Sequence, residues 1–123
     1  MYVKTSKQRI GIKGEEAATR FLRRKHYIIR HRNFRIGRAE VDIVAETDEY
    51  FVFVEVKTRT TTSFGFPESF VTERQKKILI EAASTYLSDK QHIKPIRFDI
   101  VSILLEPTKL TISHFEDAFW SMA

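Results

Sequence analysis

Two apolar runs that lie close together constrain the fold of this chain more than any other feature. Residues 39–45 (AEVDIVA) and residues 50–57 (YFVFVEVK) are rich in β-branched and aromatic side chains, and only the polar residues 46–49 (ETDE) separate them. Runs of this kind around a short polar turn predict a β-hairpin. Because both strands are so apolar, we expect them to be buried.

Charged residues interrupt both strands of the predicted hairpin. Side chains alternate between the two faces of a strand, so Glu40 and Asp42 share one face, as do Glu55 and Lys57. The structural explanation is a Glu55–Lys57 ion pair at the strand end, with Asp42 bonded to the backbone or to an arginine. The alternative is a divalent cation, because Mg²⁺ prefers oxygen ligands and takes one or two carboxylates from a protein.

The expected register brings acids from the two strands together. With residues 47 and 48 at the centre of the turn, Asp42 is predicted to lie opposite Phe53 and Glu40 opposite Glu55. A slip of one or two residues would still leave acids of both strands on one patch. Like charges that face one another destabilise a sheet, so this patch needs a compensating partner.

A helix predicted before the hairpin supplies another carboxylate. Residues 14–25 (GEEAATRFLRRK) carry an apolar stripe at helical spacing, and Glu15 lies on this stripe. Glu16 instead lies four residues before Arg20 on the solvated face, where an ion pair explains it. Glu15 therefore needs a partner elsewhere in the fold, whereas Glu16 does not.

The rest of the chain completes an α/β or α+β sandwich around a mixed sheet. The predicted elements are an extended segment at 27–36, a long loop at 58–70, a helix from Thr72 with a capping box (TERQ), and strands at 96–105 and 109–114. The order is helix, three strands, helix, two strands. A chain of 123 residues suits one domain, here residues 1–123.

The net charge of +5 is unevenly distributed along the chain. Residues 1–38 hold twelve Lys/Arg and two Glu, whereas residues 39–123 hold nine Lys/Arg and fourteen Asp/Glu. Between Arg23 and Arg38 there are seven basic residues and no acid. Such a block suits the phosphate backbone of a nucleic acid, and it equally suits a solvated face that only aids solubility.

Composition also bears on the compartment. No window approaches the roughly 18 apolar residues of a membrane span, and residues 1–16 lack the apolar core of a secretory signal. There is no cysteine, which excludes a disulfide framework and a thiolate zinc site. We expect a cytoplasmic protein that does not contact a membrane.

Taken in order, these segments resemble a known family. The pattern D-x12-E-x-K formed by Asp42, Glu55 and Lys57, preceded by the helix with Glu15, is similar to that of the PD-(D/E)XK nuclease superfamily. More closely, the chain resembles the YraN family of uncharacterised bacterial proteins, which are described as candidate endonucleases. The resemblance covers almost the whole chain, through GEEAATRFL, AEVDIVA, FVFVEVKTR, FGFPESFVT, IRFDIVSI and the terminal DAF.

The resemblance implies a restriction-endonuclease-like three-layer sandwich, with about five strands in a mixed sheet between helices, similar to archaeal Holliday-junction resolvases. It also implies Mg²⁺ or Mn²⁺ as the cofactor. The implied catalytic residues are Asp42, Glu55, Lys57 and Glu15. The implied metal ligands are Asp42, Glu55, the Val56 carbonyl, Glu15 and Glu40. Family members usually have a glycine where this chain has Ala39, and often a lysine where it has Gln75.

The expected function is a Mg²⁺-dependent endonuclease that hydrolyses phosphodiester bonds in DNA, with branched or structured DNA favoured by analogy with resolvases. A resolvase-like cut would require a homodimer. The alternative is an inactive nucleic-acid-binding module or adaptor that retains the nuclease fold. The residues expected to contact phosphates are Arg23, Arg24, Arg30, Arg32, Arg35, Arg38, Arg59 and Lys76.

Overall fold

Two helices and five strands make up the part of the chain that the computed structural model describes, residues 4–60, 71–88 and 94–119. In chain order they are α1 (Ser6–Arg24), β1 (Ile28–Ile36), β2 (Ala39–Glu46), β3 (Phe51–Arg59), α2 (Glu73–Ser88), β4 (Ile96–Leu105) and β5 (Leu110–Phe115). This is the element order that the sequence predicts. Within the described ranges, neither helix has the length and hydrophobicity needed to cross a membrane.

The five strands form one mixed sheet in the order β1-β2-β3-β4-β5. β3 and β4 are parallel, and the other neighbouring pairs are antiparallel. Two adjacent parallel strands need a crossover connection, and α2 lies in the segment between them. The result is an α/β sandwich of three layers with α1 on one face of the sheet and α2 on the other, as the sequence predicts.

Each face of the sheet has its own apolar core. On the α1 face, Leu22 packs among buried side chains that include Ile43 and Val54. On the α2 face, Tyr86 packs in a cluster that includes Phe53. Because both faces are covered, β3 begins with four buried residues in succession rather than an alternating pattern.

Helix α1 begins eight residues earlier than the sequence predicts. Thr5 is its N-cap, since the Gln8 backbone N–H donates to the Thr5 hydroxyl at 3.1 Å and the Thr5 N–H donates to the Gln8 side chain at 2.9 Å. The sequence predicts a start at Gly14 because the apolar stripe of the helix begins there. The first two turns are mostly exposed and do not carry this stripe. The capping box at Thr5 is the signal that would have placed the start correctly.

The predicted hairpin is present, but its register is wrong by two residues. Val44, not Asp42, lies opposite Phe53, and the last pair of the ladder is Ile43 with Val54. The Thr47 N–H donates to the Tyr50 carbonyl at 2.9 Å, so the turn is centred on residues 48 and 49, one residue later than the sequence predicts. Asp42 therefore lies just beyond the end of the paired segment.

The segments after the hairpin have two well-defined boundaries. β3 continues through Arg59, so the first residues of the predicted loop 58–70 belong to the strand, and residues 61–70 lie outside the described part of the chain. The predicted capping box of α2 is confirmed. The Gln75 N–H donates to the Thr72 hydroxyl at 3.1 Å, and the Thr72 N–H donates to the Gln75 side chain at 2.9 Å.

Candidate functional site

Strand β1 changes the face that it presents to the core at Asn33. His31 and Phe34 stack with ring centroids 4.1 Å apart, although strict alternation would put residues three apart on opposite faces. Asn33 lies between them with φ of 50°, a left-handed conformation that asparagine adopts more readily than most residues. The local break turns the Asn33 amide towards the α1 face of the sheet, where it reaches Glu15.

Strand β2 makes the matching change at Asp42. Val41 packs in the core on the α2 face, whereas Ile43 packs in the core on the α1 face. Because the ladder with β3 ends at Ile43, the Val56 N–H has no backbone partner on β2 and donates to Asp42 Oδ2 at 2.8 Å. The carboxylate of Asp42 thus takes the place of a strand partner at the point where β2 and β3 separate.

Glu15 reaches the same place from α1. In the orientation that satisfies its hydrogen bonds, the Asn33 amide nitrogen donates to the two carboxylate oxygens of Glu15 at 3.1 and 3.3 Å. The Asp42 carboxyl group lies close enough to Glu15 for its charge to raise the pKa of the Glu15 carboxyl. The expectation that Glu15 has a partner elsewhere in the fold is confirmed, and Asn33 is a site residue that the sequence pattern did not indicate.

The electrostatics of this pair show that the site is short of positive charge. Burial is the main reason that the pKa of Glu15 is raised above its ordinary value, and the nearby Asp42 raises it further against the opposing effect of Asn33. Burial also raises the pKa of Asp42, while the Val56 N–H and the Lys57 ammonium lower it in part. Both carboxyl groups therefore hold protons more strongly than they would in water.

Glu55 is the most perturbed acid of the group. Burial, followed by repulsion from Asp42, raises its pKa from 4.5 to about 8, and the opposing effect of Lys57 is insufficient. Its Oε1 atom is buried and has no hydrogen-bond partner among the described residues. An uncompensated buried carboxyl of this kind is costly unless a proton or a cation neutralises it.

Two neighbouring cavities open onto these acids. A cleft of about 740 Å³ between α1 and the end of β3 is lined by Glu15, Asp42 and Lys57, among others. A smaller cavity of about 180 Å³ is lined by Glu55 and Glu40. The acids predicted to share one patch therefore line two separate cavities, and Asp42, Glu15 and Glu40 each act to raise the pKa of Glu55 across them.

The residues present fit a divalent cation that uses few protein ligands. Within residues 4–60, 71–88 and 94–119, no three or more Asp, Glu and His side chains are placed together as a ready-made metal site. Mg²⁺ commonly takes only one or two carboxylates from a protein and keeps several waters. Asp42 and the unpartnered Glu55 could supply those two. Glu40 lies at the margin, half-exposed and 3.3 Å from Arg35.

The predicted phosphate-binding residues divide into three groups according to their surroundings. Arg59 lines the larger cleft, and Arg32 lies near enough to Glu15 to lower its pKa. Arg23 and Arg24 lie in the last turn of α1, where positive charge is favoured by the helix dipole. The other four form surface ion pairs, namely Arg30–Glu46, Arg35–Glu40, Arg38–Glu81 and Lys76–Glu73, at 2.8, 3.3, 3.3 and 3.0 Å.

A second polar cluster lies near the C-terminal end of α1. Asp99 is fully buried, and Arg97, two residues earlier on the same strand face, donates to its two carboxylate oxygens, each at 2.9 Å. His114 Nε2 lies 2.7 Å from Asp99, and its Nδ1 lies 2.8 Å from Lys25 Nζ. Since the Lys25 ammonium can only donate, His114 Nδ1 accepts from it and Nε2 donates to Asp99. This cluster joins α1 to β4 and β5.

Comparison with known proteins finds relatives along most of the chain. A family model described as "Uncharacterised protein family UPF0102" matches residues 14–103. A UPF0102 protein of Phocaeicola vulgatus is 44% identical over 110 residues, which cover 89% of this chain and 91% of the relative. One from Syntrophomonas wolfei is 48% identical over 111 residues, which cover 89% and 96%. One from Caldanaerobacter subterraneus is 36% identical over 121 residues, which cover 94% and 98%.

Proposed function

We propose that this chain, which belongs to the uncharacterised protein family UPF0102, is a divalent-cation-dependent endonuclease that acts on DNA. Membership of the family confirms the YraN-family resemblance. Because the family description names no activity, the proposal is made from the site. The observation that carries the proposal is the group of partly buried acids on α1, β2 and β3. Glu55 has a raised pKa and a buried oxygen with no hydrogen-bond partner among the described residues, and Asp42 lies close enough to repel it. A bound cation would compensate the negative charge of these carboxylates and so remove the free-energy cost of keeping them ionised away from water.

The side chains around the acids have separable roles in this proposal. Asp42 and Glu55, with the Val56 carbonyl, would hold the cation, and the Val56 N–H orients the Asp42 carboxylate. Asn33 orients Glu15, which would bind waters of the cation. Lys57 lines the same cleft and would orient the attacking water or stabilise charge on the phosphate.

When bound, Mg²⁺ would polarise a phosphodiester and lower the pKa of a bound water. Arg59 would contact the phosphate backbone, which positions a substrate without specifying its sequence. Branched DNA is proposed as the substrate because the chain resembles Holliday-junction resolvases. Paired cuts across a junction would require two copies of the chain.

Cleavage assays test the proposal directly. The purified protein is expected to nick a panel of linear, forked and four-way DNA in Mg²⁺ or Mn²⁺. Asp42→Asn, Glu55→Gln and Lys57→Ala are expected to lose cleavage and retain DNA binding, whereas Glu16→Gln, on the exposed face of α1, serves as the control. Binding without cleavage in any metal, equally in the wild type and the variants, would instead establish the inactive adaptor.

A thermal assay tests the cation separately from the reaction. A ligand that binds only the folded state raises the melting temperature. Mg²⁺ or Mn²⁺ is therefore expected to stabilise the wild-type protein and the Glu16→Gln control, and to leave the melting temperature of Asp42→Asn unchanged. The same rise in all three proteins would place the bound cation somewhere other than at Asp42.

A further inference from the structure

The first two turns of α1 form one wall of the larger cleft. Lys7, Ile10 and Gly11 line it together with the site residues Glu15 and Lys57. These turns lie before the apolar stripe of the helix, and most of their residues are exposed. Packing in the core therefore does not explain why this part of the helix lies beside the carboxylates.

Two glycines within α1 differ in what surrounds them. A Cβ atom at Gly14 would lie 1.8 Å from Thr58 Oγ1, so Gly14 is required by the close approach of α1 to β3. A Cβ atom at Gly11 would meet no atom of the described residues within 4 Å. Glycine inside a helix is less favourable than alanine, and no neighbouring atom in the described part of the chain requires glycine at position 11. The missing side chain leaves open space in the cleft.

The spacing of residues along α1 places the gap at Gly11 between the ammonium group of Lys7 and the carboxyl group of Glu15. Lys7, Gly11 and Glu15 follow one another at intervals of four residues, so they lie on one side of α1, about 6 Å apart along its axis. Among the described residues, Lys7 has no ion-pair partner, in contrast to Arg30, Arg35 and Arg38. Its charge is therefore available to an anion in the cleft.

We propose that Lys7 and Gly11 form the surface through which the sugar–phosphate backbone of one nucleic-acid strand enters the site. The gap at Gly11 admits the backbone to the carboxylates, and Lys7 binds a phosphate next to the one that is cleaved. The proposal rests on the nuclease function proposed above and adds where its substrate lies. A polyanion is the ligand class that a cleft with Lys7, Lys57 and Arg59 on its walls would attract.

Three variants separate this role from a structural one. Gly11→Ala and Gly11→Leu fill the gap and favour the helix, so both are expected to raise the melting temperature while they lower the cleavage rate, with a loss of about tenfold or more for leucine. Lys7→Ala removes one phosphate contact. Its matched control is Lys13→Ala, an equal charge change at an exposed position of the same helix.

Binding of fluorescently labelled DNA across a salt series gives the decisive measurement. Loss of one phosphate contact is expected to reduce the slope of log K against log salt concentration by about 0.7 to 0.9 in Lys7→Ala and not in Lys13→Ala. The inference is overturned if the wild type cleaves DNA and if Lys7→Ala and both Gly11 variants bind and cleave it equally well. The nuclease proposal would then still stand. A wild-type protein that neither binds nor cleaves DNA would overturn both.

Discussion

Replacement of Glu55 by glutamine is expected to remove a large part of the pH dependence of folding stability. The folded protein holds the Glu55 proton up to about pH 8, whereas the unfolded chain releases it near the ordinary pKa of 4.5. Between these values the folded state binds more protons than the unfolded state, so stability falls as pH rises. At 1.36 kcal/mol per pH unit, full ionisation of this buried carboxyl costs up to about 5 kcal/mol.

The variant avoids this cost because glutamine has nearly the same shape and no charge. Its amide brings N–H donors into a site where one Glu55 oxygen already lacks a partner among the described residues, which costs about 1–3 kcal/mol. We therefore expect Glu55→Gln to be slightly less stable than the wild type at pH 5 and about 2–4 kcal/mol more stable at pH 9, in the absence of divalent ions.

Urea denaturation at pH 5, 7 and 9, with and without Mg²⁺, measures this difference. Glu16→Gln, on the exposed face of α1, controls for the loss of one carboxylate. Without metal, the wild-type and Glu55→Gln stabilities should cross between pH 5 and pH 9. Mg²⁺ should stabilise the wild type most at pH 9 and the variant hardly at all. Parallel pH profiles for the wild type and Glu55→Gln would refute the argument that Glu55 is held protonated by burial.

Further predictions concern the packing and the charges around the site. Gly14→Ala should lower the unfolding free energy by about 1–3 kcal/mol or more in urea, because its Cβ would overlap Thr58. Asp99→Asn should cost about 3–5 kcal/mol, since it breaks a buried ion pair. Burial acts to raise the pKa of Asp99, but hydrogen bonds hold it below its ordinary value of 3.8. The difference in unfolding free energy between the wild type and Asp99→Asn should therefore shrink as the pH is lowered below 3.8. Arg38→Ala should change the melting temperature little, because its pair with Glu81 is exposed.

Much of the fold could be predicted because its signals are local. The continuous apolar run in β3 follows from a sheet covered on both faces, and the capping box at Thr72 marks the start of α2. The early start of α1 was missed because the first two turns face a cleft rather than the core, so they carry no apolar stripe. The carboxylates at 42 and 55 were found because charge inside an apolar strand is unusual.

The site's detailed arrangement could not be predicted because it depends on contacts between distant segments. The break at Asn33 and Asp42 moves Asp42 beyond the ladder and lets it accept from Val56. No local pattern indicates that break, and moving the centre of the turn by one residue shifts the hairpin register by two. The same is true of the basic block, since acids from other elements pair with Arg30 and Arg38.

By itself, the sequence determined which segments become helices and strands, and which strand faces carry acids, because periodicity and composition act within a few residues of one another. The tertiary structure alone decided that Glu15, Asp42 and Glu55 interact across three elements, and that Gly11 leaves open the wall beside them. It also decided their protonation, since burial and mutual repulsion arise only once α1, β2 and β3 are packed together.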